Sequence, residues 1–170
     1  MRMGVINSII TRIRRNHGLE HATIHLLSQR HSNLSIVGHS NWAGFTLYGQ
    51  IDTAEVELAA HEALRRLRRG EAELAVHPRC GTVLATTGLL TGLAAFVAIG
   101  LDSSSSARFR WASMPAAILA ATLAAFFAQP VGLFLQKEYT TSGNPGNLEI
   151  ERIYVKPNRR VTTHRIETRQ

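Results

Sequence analysis

Cross-linking chemistry is nearly absent from this chain. Its one cysteine, Cys80, excludes an internal disulfide. On a cytoplasmic face such a thiol stays reduced and is free to serve as a thiolate ligand. Aromatic residues make up only 6% of the sequence, and the polar arms lack the interleaved aromatic and basic residues of a nucleic-acid platform. No nucleic-acid partner is therefore expected, despite a formal net charge of +7. The arginines lie beside apolar runs, where attraction to anionic lipid headgroups accounts for them. A cleavable secretory signal is also missing. The apolar part of "MRMGVINSIITRIRRN" is too short, and the longer apolar runs are internal. There is no internal repeat and no long low-complexity segment; Ser103–Ser106 reads as an external loop.

Charge, too, disappears over one region. The segment 82–101, "TVLATTGLLTGLAAFVAIGL", has no charged residue, and a helix of that length matches the ~30 Å hydrocarbon core of a bilayer. After the loop "DSSSSARFRWA", the segment 113–136 repeats the pattern, with Ser113 as N-cap and Pro115 in the first turn, where a missing N–H costs nothing. Two spans joined by a short loop form a hairpin with both ends on one side. Arg65, Arg66, Arg68, Arg69 and Arg79 precede it and Lys137, Arg152 and Lys156 follow, whereas the loop has only Arg108 and Arg110. The positive-inside rule predicts a multi-pass protein of the inner (plasma) membrane with both termini cytoplasmic. Gly88 and Gly92, and the stripe Ala116, Ala120, Ala124, Ala128 and Gly132, predict close helix packing within the hairpin or between copies. Gln129, before Pro130, is expected to turn inward at a local kink.

The arms are patterned as a small α+β unit. Residues 4–30 carry Val5, Ile9, Ile13, Leu19, Ile24 and Leu27 at helical spacing, interrupted only by Gly18, which predicts one long helix or two abutting ones. The first part, with Arg12, Arg14 and Arg15 opposite Ile9, Ile10 and Ile13, suits either a membrane surface or packing on the protein. "LSIVG" and "GFTLYGQI", separated by "HSNWA", predict a β-hairpin. Asp52 or Thr53 then caps a helix with an apolar stripe of Val56, Ala60, Leu64 and Leu67, ended by Gly70. "LEIERIYVK" and "RVTTHRIET", with Pro157 and Asn158 between them, predict two more strands able to extend the same sheet. The expected fold class is an α+β membrane protein: a transmembrane hairpin over 81–136, with cytoplasmic arms 1–80 and 137–170 forming one small domain.

The chemistry centres on "NHGLEHATIH". On a helix, His17 and His21 stack on one face and can reach one ion, with Glu20 beside them. H-x-x-E-H is the inverted zinc-peptidase pattern, in which the carboxylate takes a proton from metal-activated water. "HPRCGT" adds His77 and Cys80 at the mouth of the first span, an imidazole and a thiol able to complete such a site. The blander readings are a pair of surface histidines, a Glu20 paired with an arginine, and an inert small Cys80. His25, His39 and His61 read as structural or exposed, and His31 and His164 give no signal.

"NHGLEHATI" followed by "HPRCGT" at the start of an apolar helix resembles the pairing in YqhQ-like bacterial membrane proteins, which are predicted metal-dependent enzymes. The full arrangement, including "GFTLYGQIDTAEVELAAHEALRRLRRGE", resembles a smaller uncharacterised bacterial family over most of the chain. The resemblance implies that His17, Glu20, His21, His77 and Cys80 belong to one site. This chain departs from the YqhQ-like pattern in carrying His25 and fewer apolar spans. The expected assignment is zinc on His17, His21 and Cys80, Glu20 as general base, and His77 as fourth ligand or transition-state donor. The expected activity is zinc-dependent hydrolysis at the cytoplasmic membrane surface. The alternative is a non-catalytic accessory subunit of a larger membrane complex or homo-oligomer, with a structural metal or none.

Overall fold

Helix α1 (Arg2–Arg30) passes through Gly18 without a break, since one glycine costs only about 1 kcal/mol against the packing of its buried face. The computed structural model describes residues 2–100, 111–156 and 161–170. The turn expected at Pro157–Asn158 and most of the 102–112 loop lie outside them. The architecture is mixed α+β, with four α-helices and one four-stranded sheet among the described residues. The chain divides into two units, one of residues 1–77 with 137–170 and the other of residues 78–136.

In the first unit, α1 leads to the hairpin β1 (Val37–Asn41) and β2 (Gly44–Tyr48). The hairpin is tighter than its sequence suggests. The polar residues His39, Ser40 and Asn41 belong to the strand, and the turn shrinks to Trp42–Ala43. The Asn41 side chain holds that turn by accepting the Ala43 N–H at 2.9 Å, and Gly44 leaves it at φ +130°, where a side chain would be strained. Asp52 caps helix α2 (Thr53–Arg68), its carboxylate accepting the Ala54 N–H at 2.9 Å. Val56, Ala60, Leu64 and Leu67 are all buried, and Gly70 follows the helix at φ +94°.

The C-terminal strands β3 (Glu149–Lys156) and β4 (Thr163–Arg169) complete an antiparallel sheet of order β1-β2-β4-β3. The end of the chain thus pairs with the first hairpin, Phe45 opposite Ile166 and Leu47 opposite His164. Leu19, Leu27, Phe45, Leu47, Leu148 and Ile166 are fully buried in one core beneath α1 and α2.

His164 is fully buried beside this core, and neither ring nitrogen reaches a hydrogen-bond partner in good geometry. Burial pushes its pKa down, partly offset by the Ile51 backbone and the Asp52 carboxylate nearby. A folded-state value below the unfolded one makes stability level above about pH 6.5 and falling below it, because the unfolded chain then takes up the proton first. Denaturant titrations of the detergent-solubilised chain on either side of that pH should show a shallower loss in His164→Gln. Equal pH slopes would remove His164 as the cause.

The second unit holds helices α3 (Gly81–Gly100) and α4 (Met114–Leu135), both long and apolar enough to cross a membrane. Their bulky side chains point outward: Phe96 is 75% and Phe126 79% exposed, which core helices of a soluble protein would not permit. Thr86, Thr87, Thr91 and Thr122 return their hydroxyls to carbonyls one turn earlier, so these hydroxyls need no water. Close packing centres on Gly132, where a Cβ would press on the Val83 backbone. Gly88 and Gly92 have no neighbour within 4 Å of an added Cβ, so that pair takes no part in packing the hairpin. Gln129 is exposed rather than inward, because it lies about 100° round the helix from the buried Ala128–Gly132 row.

Candidate metal centre

Helical spacing sets His17 and His21 one turn apart on α1, with ring centroids 4.4 Å apart and planes at 67°. Both rings are oriented by backbone. His21 Nδ1 donates to the Ala75 carbonyl at 2.8 Å, and His17 Nδ1 donates to the Thr140 carbonyl at 2.9 Å. A carbonyl oxygen only accepts, so each Nδ1 carries a proton, and in the neutral ring Nε2 keeps the lone pair. Carbonyl partners of this kind fix the tautomer and the ring orientation of metal-binding imidazoles. His21 is buried and His17 half-buried.

Ala75 ends a short 3₁₀ turn, Ala72–Ala75, and Thr140 ends a wide π-type turn, Gln136–Thr140. The segment after the second turn is gripped by α1. Arg14 donates to the carbonyls of Glu138 at 2.7 Å and Thr141 at 3.1 Å, and its own carbonyl accepts the Ser142 N–H at 2.9 Å. Gly18 permits this approach, since any Cβ there would collide with the Ser142 carbonyl. Arg15 bonds Asn147 and Gln170. Arg14 and Arg15 are therefore turned to the protein, not displayed opposite the isoleucines for a lipid surface.

The remaining side of α1 is held by buried amides. Asn16 donates to the Asn41 carbonyl at 2.8 Å and accepts from Thr168 at 2.7 Å. Glu20 is buried and accepts the Ser40 hydroxyl of β1, with Gly38 leaving room for its carboxylate. The His77 ring centroid stands 6.2 Å from that of His21. Cys80, buried, directly precedes α3. His17 and His21 thus present two imidazole donors from one face of α1, and two imidazoles with a thiolate are the donor chemistry of zinc-class ions. Of the other histidines, His39 and His61 are exposed, and His25 bonds Gln29 one turn on.

Sequence reasoning missed the two orienting carbonyls, Ser40 and Arg14. Backbone carbonyls carry no residue signature, and the sequence pattern places Ser40 in the "HSNWA" loop. Only its place in a strand facing Glu20 could have marked it.

Residues 12–153 match the family model described as a domain of unknown function, DUF6391. An uncharacterized protein of Picosynechococcus sp. is 36% identical over 151 residues, covering 83% of this chain and 71% of that protein. No solved structure matches.

Proposed function

Because the chain belongs to the DUF6391 family, a family whose description assigns no activity, we propose a function from the chain's own geometry. It is an integral membrane protein that binds a zinc-class ion through His17, His21 and Cys80. The observation that carries this is the paired orientation of the imidazoles, each giving Nδ1–H to a fixed carbonyl and holding Nε2 free of its proton. Two bland surface histidines have no reason to share that constraint.

The outward apolar side chains and back-bonded threonines of α3 and α4 support the membrane part. The arginines before α3 favour cytoplasmic termini in the inner membrane. Three protein donors would leave one position for substrate or water, and we assign zinc-dependent hydrolysis to it, with Glu20, once released from the Ser40 hydroxyl, as proton acceptor. When bound, the ion supplies Lewis-acid chemistry at that position.

A second reading is favoured by His77 beside His21 and by the engagement of Glu20 with Ser40. In it His77 closes the site as fourth ligand, and the protein is an accessory subunit.

Elemental analysis of the purified chain should find one ion per protein. Cobalt substitution should give a thiolate charge-transfer band that Cys80→Ser removes. A metal-free native chain would overturn the proposal. Glu20→Gln, which keeps an acceptor for Ser40, should retain the ion and abolish hydrolysis. If His77→Ala also loses the ion, the four-ligand reading prevails.

A further inference from the structure

We infer that the N-terminal turns of α1, together with Trp42, form a second, interfacial contact with anionic phospholipid, separate from the spanning helices. Residues 6–11 are exposed all round the helix, and Ile6 is 54% and Ile10 49% exposed, with Ile9 beside them. Three branched aliphatic side chains in under two turns, uncovered by any described residue, are a poor fit to water. The row Ile6, Ile10, Ile13, His17 and His21 steps by four, three, four and four, so the isoleucines share the face that carries the metal-binding imidazoles. That face is the one we propose to bind the ion. The inference rests on that reading.

The tertiary fold adds an anchor from elsewhere in the chain. Trp42, at the tip of the β1–β2 turn, is 57% exposed, and the Arg12 guanidinium lies over its ring at 5.6 Å. An indole capped by a guanidinium is suited to the headgroup level, where an apolar body and a cation are both satisfied. Charge selects the lipid class. With Arg14 and Arg15 engaged by the protein, Arg2 and Arg12 remain at this end of the chain, and the first nineteen residues contain no acidic residue, so anionic headgroups are favoured over zwitterionic ones. A helix of this kind seats its apolar face about 5–10 Å into the boundary between headgroups and acyl chains.

The test uses the full chain with Trp111→Phe, which leaves Trp42 as the one tryptophan. It is reconstituted into phosphatidylcholine vesicles with or without phosphatidylglycerol, brominated either near the headgroup or near the chain ends. Trp42 fluorescence should be quenched more by the shallow bromines, and more when phosphatidylglycerol is present. Ile9→Ser with Ile10→Ser, both exposed and so without effect on the core, should weaken the quenching while the chain still resists alkaline carbonate extraction.

An unquenched Trp42 in a chain that resists extraction overturns the inference and leaves the membrane reading standing. Extraction of the native chain instead overturns the membrane reading. Disulfide-linked dimers of Ile10→Cys in a Cys80→Ser background, with Trp42 unquenched, would assign the face to a second copy and likewise overturn the lipid contact.

Discussion

His21→Asn is expected to strip the metal from the protein while leaving the first unit folded. The asparagine Nδ2 falls where the imidazole Nδ1 stood, so the donor to the Ala75 carbonyl, 2.8 Å away in the native chain, is kept. What disappears is the Nε2 lone pair. Loss of an orienting partner alone typically costs about 10–100-fold in metal affinity, and loss of a ligand should exceed that. His21→Ala should lose the ion too, but it also leaves the buried Ala75 carbonyl unpaired at a cost of about 1–3 kcal/mol. The contrast is measured by metal content and by thermal unfolding of the purified chains. Native metal content in His21→Asn would remove His21 from the ligand set.

Gly18→Ala tests the scaffold rather than the ligands. Its methyl would be driven into the Ser142 carbonyl, and the Ala75 Cβ lies only 3.3 Å from the same point. Neither neighbour can yield easily: one is backbone tied to Arg14, and the other belongs to the turn that orients His21. Overpacking of this kind costs about 1–3 kcal/mol. Because the displaced segment carries the Thr140 carbonyl, His17 should lose its orientation, and metal affinity should fall by about 10–100-fold. Gly92→Ala, at a position with open space around it, is the matched control and should change neither quantity. A Gly18→Ala chain as stable as the control would show that the segment can move aside.

Local patterns in the sequence revealed the helical stretch over 4–30, though not whether Gly18 divides it, the capped helix after Asp52, the two apolar helices, and the pairing of His17 with His21. Each depends on spacing along a single element, where periodicity and capping act within a turn or two. The hairpin register was less legible. A two-residue turn held by Asn41 and Gly44 drew three polar residues into a strand, and alternation of side chains could not signal that among so few residues.

Tertiary structure alone decided the rest. It set β4 beside β2, buried His164 against Leu47, tied Arg14 and Arg15 to the C-terminal arm, and stacked Arg12 on Trp42. Above all, it supplied the carbonyls of Ala75 and Thr140 that put both imidazole protons on Nδ1. These contacts join segments far apart in the sequence or use backbone atoms that every residue shares. Their geometry exists only once the chain has closed on itself.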